Sequence, residues 1–148
     1  METFSQFNYD KSRLLDARYL AGMGVRGNFY DKTHVTFAAG SACMVERETY
    51  DLPPGASHPT EETAWRWSNY VNARAEIGET SSLVWIAYVQ PRFRDFGDVR
   101  VLSEATLGAG LRDKLTLTAT LRIRYDSTPP DGVEDLDMVL LSGLHVEF

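Results

Sequence analysis

From Leu115 to Asp126 the chain alternates apolar and polar side chains without a break: Leu115, Leu117, Ala119, Leu121, Ile123 and Tyr125 against Thr116, Thr118, Thr120, Arg122, Arg124 and Asp126. A period of two belongs to an extended strand, whose successive side chains point to opposite faces. The length of the run is the main constraint, because strands in ordinary sandwiches average about five or six residues. Comparable runs occupy Leu14 to Tyr30, Thr63 to Ile77, Val99 to Leu111 and Glu134 to Phe148. Weaker ones cover Thr3 to Tyr9, Val35 to Arg47 and Leu83 to Phe93, giving about eight strands and no clear helical period. Strands this long suit a tilted crossing of a bilayer, which takes roughly nine to eleven residues plus overhangs.

Connection lengths test this independently. Tight turns are expected at Asp31-Lys32, Gly78-Glu79-Thr80 and Arg112-Asp113-Lys114, after the second, fourth and sixth strands. Longer connections are expected at Asp51 to Glu62, Asp95 to Asp98 and Ser127 to Gly132. Short turns alternating with longer loops are the pattern of outer-membrane barrels, and an even strand count puts both termini on the short-turn side.

The 148 residues suit a single domain, 1–148, large enough to bury a core. A net charge of −6 argues against nucleic acid as a partner. The single cysteine excludes an internal disulfide framework; Cys43, on a strand, reads as a small packed residue. No apolar run reaches the roughly eighteen residues of a transmembrane helix, and Met1 leads at once into strand-like residues rather than a signal peptide.

Alternation alone does not say which face points inward. Aromatic residues cluster near strand ends (Phe29, Tyr30, Tyr50, Trp65, Trp67, Phe93, Phe96, Tyr125, Phe148), where interfacial girdles of a membrane barrel sit. The polar face mixes arginine with carboxylates and has few lysines, which suits a packed polar lumen because guanidinium forks and carboxylates satisfy one another. The predicted lumen network comprises Arg18, Arg26, Arg66, Arg74, Glu76, Arg92, Arg100, Glu104, Arg122, Arg124 and Glu147. An eight-stranded barrel has room only for side chains, so a plugged lumen is expected rather than an open pore. More strands, or several copies forming a homo-oligomeric barrel, would reverse that expectation.

Several segments carry a family resemblance. Tyr88-Val89-Gln90-Pro91 and Phe96 to Glu104 resemble a recurring Tyr-x-Pro … Asp-Tyr-Arg-Leu-x-x-Glu segment, and Arg124-Tyr125-Asp126-Ser127-Thr128-Pro129-Pro130-Asp131-Gly132-Val133 is similar to a Tyr-Asp-x-x-Pro-Pro-x-Gly-Val hairpin loop. Leu14 to Gly24 looks like a Gly-rich strand, Leu111 to Leu117 like a turn between strands, and Asp135 to Phe148 like a last strand of the same family. That family is the salt-induced outer-membrane proteins, an uncharacterised group built on a domain of unknown function. The resemblance covers most of the chain and is densest from Tyr88 onward. It implies that this chain is the carboxy-terminal part of such a protein, or a short member, and it implies no catalytic residue.

No residue pattern points to chemistry. His34, His58 and His145 lie in separate segments without metal-ligand spacing. Gly22-Met23-Gly24 and Gly108-Ala109-Gly110 lie inside strands and read as kinks rather than phosphate loops. The acidic positions Asp51, Glu61, Glu62, Asp95, Asp98, Asp131 and Glu134 read as solvated loop residues. The expectation is therefore an all-β, antiparallel up-and-down β-barrel of about eight long strands, of outer-membrane type, from a Gram-negative bacterium. It would have a structural or salt-stress role, no catalytic, cofactor or metal site, and outer-membrane lipid and the barrel-insertion machinery as partners. Leu144, Val146 and Phe148 would form the insertion signal. The alternatives are a narrow outer-membrane channel, or a soluble β-barrel that binds an apolar ligand with Leu117, Leu121 and Ile123 inside.

Overall fold

A computed structural model describes residues 1–112 and 115–146. The strands are β1 (Glu2–Asp10), β2 (Leu15–Lys32), β3 (Val35–Tyr50), β4 (Glu61–Ile77), β5 (Ser81–Arg92), β6 (Asp95–Arg112), β7 (Leu115–Asp126) and β8 (Leu136–Val146), with a short 3-10 turn at Lys11–Arg13. They form one antiparallel sheet in the order β1-β2-β3-β4-β5-β6-β7-β8, each strand paired with its neighbours in sequence. The expected fold class is therefore met. The sheet curls into a half-barrel in which, among the described residues, β1 and β8 are not hydrogen-bonded to each other.

Two connections differ from the sequence reading. The β2–β3 turn lies at Thr33-His34, beyond Asp31-Lys32, because Asp31 pairs with Thr36 and Lys32 with Val35. Backbone pairing continues past the last apolar side chain, since ladder hydrogen bonds do not require one. Asp95 to Asp98 belong to β6, and the β5–β6 turn is only Phe93-Arg94. Gly97 and Asp98 look like turn residues, but the register shift between Pro91 and Arg92 takes up the irregularity inside the sheet. The turn at Gly78–Thr80 stands as read, the loop after β3 stops short of Glu61 and Glu62, which open β4, and the loop after β7 runs past Gly132 to Asp135. The expected turn at Asp113-Lys114 lies outside the described residues.

Charged and polar side chains of strands far apart in the sheet meet across one face, which identifies it as concave. Tyr70 of β4 donates to Glu2 of β1 at 2.8 Å, Arg100 of β6 reaches Glu48 of β3, and Arg124 of β7 donates to Asp10 of β1 at 3.1 Å. Glycine permits this curl: a Cβ on Gly40 would lie 2.3 Å from the Tyr70 ring, and one on Gly22 2.5 Å from the Phe4 ring.

The polarity of the two faces is inverted relative to a water-soluble barrel. Glu46 and Arg66 are each only 1% exposed on the concave side, whereas Leu140 is 73%, Phe29 70% and Val25 65% exposed. Leu117 and Leu121 lie exposed on the convex face, with Ile123 in the same register. The arrangement expected of a soluble barrel with an apolar interior is not the one observed. Cys43 is likewise exposed on the convex side rather than packed inside.

Candidate functional site: a buried ion-pair layer

Toward the loop end of the half-barrel, the concave side chains of β2, β3, β4, β6 and β7 interlock. Glu46 is the hub. It accepts from Arg66 Nε at 2.5 Å and from Arg100 Nη1 at 3.0 Å, and Arg18 closes on its other oxygen. Arg66 also donates from Nη1 to the backbone carbonyls of Gln90 and Asp98, at 3.1 and 3.3 Å, while its Nη2 lies 2.9 Å from the Asp98 carboxylate. Arg100 places Nη1 and Nη2 on the two carboxylate oxygens of Glu48, at 2.7 and 2.9 Å, and Nε on Asp126 at 2.9 Å. Tyr50 donates its hydroxyl to Glu48 at 3.0 Å. Arg92 bridges Glu62, at 2.5 Å, and Asp98, at 3.3 Å.

Such a layer is stable only if complete. Each buried charge carries a desolvation cost that its partners must offset, and forked guanidinium–carboxylate contacts do so best. In chemical terms the layer is an interlocked ion-pair network of four arginines and five carboxylates. Each buried carboxylate is engaged by arginine, so it offers neither a free general base nor an open ligand set.

Above it, two loops are clasped. The Asp131 carboxylate accepts from the backbone N–H and hydroxyl of Ser57 and from the N–H of His58, the last at 3.0 Å. These hydrogen bonds hold the exposed Asp131 carboxyl below its usual range. A serine, a histidine and an aspartate thus meet, but the serine hydroxyl donates to Asp131 rather than to the imidazole, whose Nδ1 lies 2.9 Å from the Pro59 carbonyl oxygen. The arrangement ties one loop to the other and is not that of an activated nucleophile.

A family of proteins matches this chain over residues 1–148, under the description "Protein of unknown function, DUF481". The chain belongs to that family. No curated protein and no solved structure matches it. The DUF481 match carries no assigned function, and the salt-stress connection of the resemblance is not part of it.

Of the residues expected in the DUF481 chain's lumen network, Arg18, Arg66 and Arg100 enter the buried layer, and Arg92 borders it. Arg124 pairs with Asp10 beside it. Further from the loops the charges form partly exposed pairs: Arg122 with Glu104 at 2.7 Å, Arg26 with Glu2 at 3.8 Å, and Arg74 with Glu76 at 3.9 Å. Glu147 and Phe148 lie outside the described residues, while Leu144 and Val146 are exposed on the convex face of β8.

Sequence reasoning missed Glu46, Glu48 and Gln90, assigned Asp98, Glu61 and Glu62 to loops, and placed in the aromatic girdle a Tyr50 that is buried against Glu48 on the concave side. Alternation in β3 is diluted by Ala38, Ala39, Gly40, Ser41 and Ala42. Extending its period of two past Arg47 would have put Glu46, Glu48 and Tyr50 on the face of Met44. Asp98 shares that face and is 6% exposed, not a solvated loop residue.

Proposed function

We propose that this chain is an outer-membrane β-barrel protein, or part of one, with lipid against its convex face and the ion-pair layer plugging its interior. Its role would be structural, in the envelope or its response to salt stress, without chemistry of its own. The single observation carrying the reading is the inverted polarity, with carboxylates and guanidiniums buried and large apolar side chains turned outward. Monomeric soluble proteins rarely expose continuous apolar patches beyond a few hundred Å2. In hydrocarbon the same face is favourable, provided that the open edges of β1 and β8 are closed against each other or against further strands.

The convex aromatic residues support the same reading. Tyr19, Trp65, Trp67, Phe93 and Phe96 are exposed toward the loop end, and Phe29 and Tyr30 toward the turn end. Between Tyr19 and Phe29 the strand advances ten residues, about 33 Å when extended. At a tilt of about 40° that becomes roughly 25 Å, the height of the apolar band of such barrels.

The test is the behaviour of the purified chain. It is expected to require detergent and to migrate faster on gels unheated than boiled. A monodisperse, folded chain in detergent-free buffer would overturn the reading. The interlocked layer favours a plug over a channel, so planar bilayers containing the folded protein should show no steady conductance.

A further inference from the structure

The concave face is not uniformly charged. Beside the ion-pair layer it holds a cavity of about 1040 Å3, whose walls include Phe4, Leu20, Met44, Tyr70, Tyr88 and Leu102. Tyr70 and Tyr88 pack with ring centroids 5.5 Å apart. The same cavity is bounded by Asp10, Arg13, Arg124 and Asp126, so one space has an apolar body and a charged end. A cavity of this size and lining, with a few convergent polar groups, is the usual form of a small-molecule site.

At the charged end the cations and anions are not equally engaged. Asp126 accepts from Arg100 and from the Thr128 N–H, Asp10 accepts from Arg124 and Ser12, and Glu48 accepts from Arg100 and Tyr50. Arg13 differs. Its side chain is only 13% exposed, yet its nearest carboxylate oxygen, on Asp126, is 3.6 Å away and already accepts from Arg100 at 2.9 Å. Among the described residues Arg13 has no closer partner, although a guanidinium offers five donors. Burial, followed by the nearby charge of Arg124, pulls its pKa below the ordinary arginine value. A bound anion would relieve both effects.

We propose that this cavity binds a single-chain amphiphile with an anionic head. Arg13, assisted by Arg124, takes the carboxylate or phosphate. Phe4, Leu20, Met44, Tyr88 and Leu102 enclose the alkyl chain. The carboxylates around Arg13 are already occupied by arginines, so a cationic head finds no free acceptor there. The site lies on the concave face and does not depend on what covers the convex one.

The test uses the full chain in whichever medium keeps it folded, buffer or nonionic micelles. A doxyl-labelled stearate is titrated and the motionally restricted fraction is read by electron spin resonance. One saturable site per chain is expected, displaced by dodecanoate or dodecyl phosphate but not by dodecylamine. Whichever anion displaces the label at lower concentration identifies the source as a fatty acid or a phospholipid-like molecule. Arg13→Gln should weaken binding by about tenfold or more, the scale of one charge-assisted contact. Phe4→Ala, at an edge strand where folding is least at risk, should weaken binding of long chains more than short ones. An absent restricted component, equal displacement by dodecylamine, or unchanged affinity in a folded Arg13→Gln chain would overturn the site. A detergent-requiring, heat-modifiable chain without bound label would sink this proposal and leave the membrane reading standing.

Discussion

Arg100 and Glu48 form a two-pronged pair, with Nη1 and Nη2 at 2.7 and 2.9 Å from the two carboxylate oxygens, although β6 and β3 are not neighbours in the sheet. The pair therefore reports the curl of the sheet as well as local chemistry. Removing Arg100 leaves Glu46, Glu48 and Asp126 short of a partner in a buried layer. Arg100→Gln is expected to destabilise the chain by about 3–5 kcal/mol, the usual scale for orphaning a buried charge. Arg100→Lys should recover only part of this, because an ammonium cannot make the fork. Urea unfolding followed by circular dichroism checks both, and equal stability of the lysine variant and the native chain would count against the forked geometry.

Gly40 sits where the Tyr70 ring crosses β3. An added Cβ would come within 2.3 Å of that ring, so Gly40→Ala should cost about 1–3 kcal/mol through overpacking. Tyr70→Leu in the same chain should relieve much of the clash, though it gives up the hydrogen bond to Glu2. A double-mutant cycle on thermal stability measures the coupling, and additive effects would argue against the contact.

The loop clasp is pH-dependent in a definite direction. The Asp131 carboxyl is held below the ordinary carboxylate range by the His58 and Ser57 donors. A depressed pKa means that the clasp contributes fully above the unfolded value and is lost as pH falls through the folded one. Exchange of the Ser57 and His58 amides, taken relative to the intrinsic rate at each pH, should therefore be slow at pH 7 and rise as the pH falls below about 3.8. Asp131→Asn should raise it already at pH 7. Nuclear magnetic resonance exchange rates that ignore both changes would show that the clasp does not persist in solution.

Leu140 distinguishes lipid from water on the convex face. It is 73% exposed, so in a water-soluble protein Leu140→Arg would be close to neutral. Against hydrocarbon the same change costs about 2–4 kcal/mol near the midplane. Refolding yield into phosphatidylcholine vesicles should fall for Leu140→Arg. It should be largely kept for Thr120→Arg, which lies on the concave side of β7 opposite Thr106.

Much of the fold was legible in the residues. Leu115 to Asp126 appears as β7 with the bounds its alternation predicts, and the other segments become strands within a few residues of their expected ends. A period of two needs only local sequence, because the pleat alone sends successive side chains to opposite faces. Where the signal thinned, as beyond Arg47 or at Gly97-Asp98, strand boundaries slipped. Backbone pairing was setting the structure there, and side-chain pattern was not.

The sequence by itself determined that two long faces of opposite character exist, and that arginine and carboxylate share one of them. Only the tertiary structure decided that this charged face curls inward, that Glu46 rather than a more conspicuous residue becomes the hub, and that Arg13 has, among the described residues, no partner closer than Asp126 at 3.6 Å. The reason is physical. Alternation is written along one strand, but which guanidinium reaches which carboxylate depends on the curvature that brings β3, β6 and β7 to face one another. That curvature arises from twist, glycine contacts and register across the whole sheet.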